Sequence, residues 1–290
     1  WSEMKRWIII WILAFTLTST KGQELKSTSI PSNQTSAIQN LKPYLALHNL
    51  EQDTFFTEKF ERLIHKLERL KSRKKSDYAF LKAVFYKTHT SLLHEYDRLA
   101  TMDQTLASGK FGCLTGTALY AILLDYFGYE YRIIELPNHV FLHLSVNDDS
   151  FVFESTLPFG GFMKTTAEME KLLEQPWVNY RRISELSTVG DWFQDFKIVP
   201  GNYKTIDLNQ LAGLQYFNEA AKFYLNKDYK TAMDLALEAY ALYPSERNEK
   251  IMQLIINKIL RYDLIKQELK SEYLDKYVTS VKGKKLSQTK

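Results

Sequence analysis

The sequence predicts an α+β fold: an apolar helix packed on a small antiparallel sheet, followed by an all-α region. Three observations carry this. An apolar run from Cys113 to Phe127 is closed by Gly128. Three strand-like runs follow it, Tyr129–Glu135, His139–Val146 and Phe151–Ser155. Beyond residue 206, alanine and aromatic residues recur at helical spacing. At 290 residues, 45% hydrophobic and 25% charged, the chain has the length and balance of one or two ordinary globular domains. Such a chain buries enough core to need no disulfide or metal staple.

The elements follow in chain order. Met4-Lys5-Arg6 reads as a natural start with a basic n-region, and Trp7 to Leu17 is an apolar h-region. Small and polar residues then lead to Gly22. This is the pattern of a secretory signal peptide over 1–22, too short for the roughly 20 residues a membrane span needs. Residues 23–40, rich in Ser, Thr, Gln and Asn, read as a disordered lead-in. A first core domain is expected over 41–206 and a helical region over 207–290. From Thr54, Phe56, Phe60, Leu63, Ile64, Leu67 and Leu70 recur at helical spacing. Cations over Lys71–Lys75 close that helix, and Asp77 is placed to cap a second one running to about residue 97. Residues 101–112 read as a loop. After the apolar helix and the strands, Asn147–Ser150 supplies a hairpin turn. Thr165 and Glu168 form a capping-box pattern for a helix through Leu173, and 176–206 give no clear pattern.

In the C-terminal region, Gly213–Pro244 aligns with one helical repeat of about 34 residues. Tyr216, Ala220, Phe223, Ala232, Ala236, Ala239 and Pro244 fall at its small and aromatic positions, and Asn226–Asp228 makes the turn. The segment thus resembles a tetratricopeptide repeat. Residues 247–280 look helical without that pattern. One repeat cannot bury its own face, so it should pack on the preceding domain or recruit a protein partner.

Charge and cysteine count narrow the function. A formal charge of +4, spread along the chain, lacks the clustered basic footprint of a nucleic-acid binder. Removal of 1–22 leaves the chain closer to neutral, so neither electrostatic adhesion to anionic lipid nor a stable membrane span is expected. The predicted location is exported, periplasmic or extracellular. Cys113 is the single cysteine, which excludes an intramolecular disulfide and leaves a buried hydrophobe, an intermolecular bridge or a reactive thiol.

Cys113 opens a helix behind a glycine, where the helix dipole and unpaired N–H groups stabilise a thiolate and an oxyanion. His139 opens the next long strand, on the face opposite Val140, Leu142 and Leu144. Glu154 ends the neighbouring strand, and the hairpin brings the two within carboxylate–imidazole reach. Thiol, imidazole and carboxylate together are the cysteine form of a hydrolase triad. Gln104 is a candidate upstream oxyanion donor. His139 and His143 stand about 13 Å apart along a strand, too far to share one ion, so no metal and no cofactor are expected. His48, His65, His89 and His94 read as surface or helix-packing residues.

The stretch from Phe111-Gly-Cys113 to Arg132, then Pro137-Asn-His139, then Phe153-Glu-Ser-Thr156, resembles the core of the transglutaminase-like, papain-related superfamily. The resemblance covers about residues 109–160. It implies a nucleophile helix on a small antiparallel sheet and acyl transfer through a thioester, with Cys113 as nucleophile, His139 as base and Glu154 as acid. The acid is Glu where Asp is usual, and the Cys–His interval is short, like bacterial members coupled to tetratricopeptide repeats. The expected function is an exported cysteine hydrolase of amide or peptide bonds acting on a peptide or protein substrate. The alternative is a non-catalytic binding or assembly protein that recruits a partner through the helical repeat.

Overall fold

The computed structural model describes residues 32–49, 54–136, 138–165, 203–261 and 265–287. The expected signal peptide and residues 166–173 of the expected capping-box helix lie outside them.

The described chain is mixed α and β, with a small antiparallel sheet and a helical C-terminal region. Helix α1 (Ser32–Ala46) begins inside the stretch expected to be a disordered lead-in. Its Ala37, Leu41, Tyr44 and Leu45 are buried, and that apolar stripe outweighs the polar composition around it. Helix α2 (Thr54–Lys71) buries Phe60, Leu63, Ile64 and Leu67, as its periodicity predicts.

Helix α3 (Asp77–Leu92) is capped by Ser76, whose hydroxyl accepts the Ala79 N–H, while Asp77 accepts a hydrogen bond from Tyr129. It stops at Leu92, short of residue 97. The N–H groups of His94 and Glu95 turn instead to the Gly109 carbonyl, and that of Asp97 to Phe111. Strand β1 (Glu95–Tyr96) thereby pairs in parallel with β2 (Lys110–Phe111). Between them, the expected loop is a short helix, α4 (Met102–Ser108). A capping box of Thr101 and Gln104 starts it, and Gly109 at φ 83° ends it.

Helix α5 (Cys113–Phe127) is buried along most of its length. It lies on a five-stranded sheet of order β6-β5-β4-β3-β7, antiparallel throughout. The strands are β3 (Arg132–Leu136), β4 (His139–Val146), β5 (Asp149–Phe153), β6 (Phe162–Lys164) and β7 (Lys204–Ile206). Val140, Leu142, Leu144, Phe151 and Phe153 share one sheet face and join the core around α5, with Phe153 set edge-on to Tyr120. Residues 139–144 are buried on both faces, which is why β4 reads as a nearly continuous apolar run. The β4–β5 turn is tighter than expected. Val146 pairs with Asp149, so Asn147-Asp148 alone make the bend, with Asn147 at φ 55°.

Helices α6 (Leu208–Leu225) and α7 (Tyr229–Leu242) form the expected antiparallel pair, with Ala220, Ala232, Ala236 and Ala239 fully buried. Helices α8 (Glu246–Arg261) and α9 (Gln267–Ser287) follow. The pair is docked on the core: Tyr44 donates to the Leu208 carbonyl, Gln215 to that of Ala100, and Tyr243 to the Glu135 carboxylate at 2.6 Å. No helix among the described residues is long and apolar enough to cross a membrane.

Candidate active site

The first turn of α5 is set by its two glycines. A Cβ at Gly112 would stand 2.9 Å from the carbonyl oxygens of both Asp97 and Arg98. One at Gly116 would stand 2.6 Å from the Ser155 Cβ. These positions, four apart, lie on one helix face. The segment 97–98 and the chain just after Glu154 therefore both press on the turn that carries Cys113. The other end of the assembly is fixed by Thr117, whose hydroxyl donates to the Val140 carbonyl at 3.3 Å, bringing the start of β4 beside the same turn.

This brings three of the four expected site residues together. His139 Nε2 and Glu154 Oε2 are 2.6 Å apart, with both side chains almost wholly buried. The β4–β5 pairing runs from Leu142–Phe153 to Val146–Asp149, and His139 and Glu154 lie just beyond its first pair, where β4 begins and β5 has ended. Cys113 stands close enough to the His139 ring to raise its imidazole. Cys113 keeps 8% of its surface accessible.

Burial by itself pulls the His139 imidazole down. The Glu154 carboxylate and Cys113 more than reverse that and push it up to about 10. The imidazolium is thus the favoured form at neutral pH, the state needed to face a thiolate.

Gln104 serves elsewhere. It is exposed, and its carbonyl oxygen accepts the Thr101 N–H at 3.1 Å in the capping box of α4. Three residues outside the expected set surround the array. Thr156 donates both its N–H and its hydroxyl to Glu154 Oε1, at 2.9 and 2.6 Å. His89 is buried, and its Nε2 donates to the Ser155 carbonyl at 3.0 Å. Burial holds its imidazole below the ordinary value, in keeping with a neutral donor. Tyr96 stands half-exposed, edge-on to Phe111 at 5.9 Å. Burial and then the influence of Cys113 raise its phenol above the ordinary value. The Thr two residues after Glu154 was legible as a local side-chain-to-backbone motif. His89 and Tyr96 lie too far away in sequence to be paired with the site by pattern.

Among the described residues no group of three or more His, Cys, Asp or Glu side chains is arranged to hold a metal ion. No family model matches the sequence, and no curated protein does. A solved structure of menin, described by its binding site for Mixed Lineage Leukemia protein, aligns over 86% of this chain and 81% of that one. It does so at 12% identity and a TM-score of 0.29, a likeness too low to carry an argument.

Proposed function

We propose that the chain is a transglutaminase-like cysteine enzyme that cleaves amide or peptide bonds through a thioester, exported by the signal-like segment 1–22. The observation that carries this reading is the buried Cys113–His139–Glu154 array, with its 2.6 Å imidazole–carboxylate contact and the thiol within reach of the same ring. The Cys113 thiolate attacks the substrate carbonyl carbon, forming a C–S bond and an oxyanion. The N–H groups of the first α5 turn, which have no partner within the helix, are the donors for that oxyanion. Collapse of the intermediate breaks the C–N bond, and the His139 imidazolium gives its proton to the departing amine. The neutral imidazole then takes a proton from water as that water attacks the thioester. Release of the acid restores the thiolate and the imidazolium. Glu154 holds the ring in place through the cycle.

Peptide or protein amides are the substrates this chemistry accommodates, and the docked helical pair is the surface through which a protein partner would be recruited. Incubation with p-nitrophenyl acetate, an activated ester, tests the reading. Mass spectrometry should find one acetyl group on Cys113, removable by hydroxylamine and absent from Cys113→Ala and His139→Ala. An unacetylated Cys113, or equal acetylation without His139, would contradict it.

A further inference from the structure

The acid of the array is held by a very local device. Glu154 has two carboxylate oxygens with distinct neighbours. Oε2 faces His139 at 2.6 Å, while Oε1 receives the Thr156 N–H at 2.9 Å and the Thr156 hydroxyl at 2.6 Å. Two donors on one oxygen, one of them a short hydroxyl contact to an ion, resist rotation of the carboxylate about its own axis. They also occupy the lone pairs of Oε1, so that His139 meets only the other oxygen. The β-branched Thr side chain suits this, because its χ1 is stiff and keeps the hydroxyl on target. The backbone is pinned in the same place. Glu154 N–H donates to the Gly161 carbonyl at 2.8 Å, Leu157 N–H to the Glu154 carbonyl at 3.2 Å, and His89 holds the Ser155 carbonyl between them.

We propose that Thr156 is a positioning residue of the site, fixing the Glu154 carboxylate so that one oxygen is committed to the His139 ring. It acts through Glu154, on which both of its donors converge. Only its effect on rate rests on the acyl-transfer reading; its effect on the imidazole does not. Losing the hydroxyl should loosen the carboxylate, weaken its hold on the ring and lower the pH at which His139 gives up its proton.

The test follows the His139 Cε1–H signal by NMR across pH in the full chain carrying ¹³C-labelled histidine. Thioester formation on Cys113 with p-nitrophenyl acetate is measured in parallel. Thr156→Val should move the His139 titration to lower pH and slow acylation by roughly ten- to a hundredfold, the scale of a small misplacement in an active site. Thr156→Ser, which restores the hydroxyl, should return both toward wild type. Thr156→Ala removes the hydroxyl without adding a methyl group and repeats the test if valine disturbs folding. A His139 titration unchanged in both Val and Ala variants would overturn the proposal, whatever their rates. If instead wild-type Cys113 forms no thioester while the titration still follows residue 156, the positioning stands and the hydrolase reading falls.

Discussion

Two imidazole–carboxylate pairs in this molecule have nearly the same chemistry and very different surroundings. His65 and Glu68 face each other at 3.0 Å on the outer side of α2, with side-chain exposures of 56% and 36%. His139 and Glu154 meet at 2.6 Å where β4 begins and β5 ends, with exposures of 2% and 1%. The first is one helical turn of local sequence; the second needs a hairpin, a helix terminus and two close glycine contacts. Water screens the first, and such surface pairs contribute at most about 1 kcal/mol. In the second, water is gone and the ring depends on its protein partners for its charge. Removing one member of a buried pair typically costs about 3–5 kcal/mol because the other is left uncompensated. The environment, rather than the pairing of residue types, turns a histidine and a glutamate into a charge-holding device.

The largest break in that comparison is Glu154→Gln. An amide cannot stabilise the imidazolium, so acylation and hydrolysis should fall by about 10³–10⁴-fold, on the scale of losing a triad carboxylate. An amide also cannot accept from both Thr156 donors and from His139, so one buried group loses its partner at a cost of roughly 1–3 kcal/mol. Calorimetry should therefore show a lowered melting temperature; activity within tenfold of wild type would remove Glu154 from the array.

Next comes Gly116→Ala. Alanine favours the helix by about 1 kcal/mol, but its Cβ would stand 2.6 Å from the Ser155 Cβ, so the chain after Glu154 must move. We expect a net loss of roughly 1–2 kcal/mol from overpacking and about 10²-fold slower acylation. A chemical-denaturation curve and a single-turnover rate measure the two effects.

pH sharpens the contrast further. His139 sits near 10 in the folded protein, above the ordinary imidazole value, so the native state holds its proton more tightly than the unfolded chain. Its contribution is fully present below about pH 6.5. It should be lost progressively as pH rises toward 10. Denaturation midpoints compared between wild type and Glu154→Gln should converge across that window. A gap that widens with rising pH would contradict the assignment.

The smallest effects belong away from the site. Ala236→Leu, at a fully buried position of α7, should cost about 1–3 kcal/mol by overpacking while leaving Cys113 reactivity unchanged. His65→Ala should alter stability by less than about 1 kcal/mol and activity not at all.

How much of this was legible follows the range of each interaction. The α5 boundaries, the β4 strand and the α6–α7 pair were readable because periodicity and glycine punctuation are local signals. Cys113, His139 and Glu154 could be named because a helix start, a strand start and one hairpin link them. The α3 terminus, the α4 helix and the β7 edge strand were not readable. The first ends where the chain is recruited by Gly109 and Phe111, and the last pairs across a long sequence gap with β3. Gln104 was misread for a related reason: its capping-box spacing to Thr101 was present, but the surrounding loop reading hid it. Helix α1 was missed because its buried stripe packs on α4, α5 and α6, far along the chain.

The central claim is that Cys113, His139 and Glu154 act as one reactive array, with the buried carboxylate holding the ring that serves the thiol. The most direct test is the rate of Cys113 alkylation by iodoacetamide from pH 4 to pH 10, in wild type and in His139→Gln. The account predicts that wild type is alkylated faster than the variant through the lower part of that range, where the His139 ring carries its proton. A wild-type rate that matches the variant throughout would contradict it.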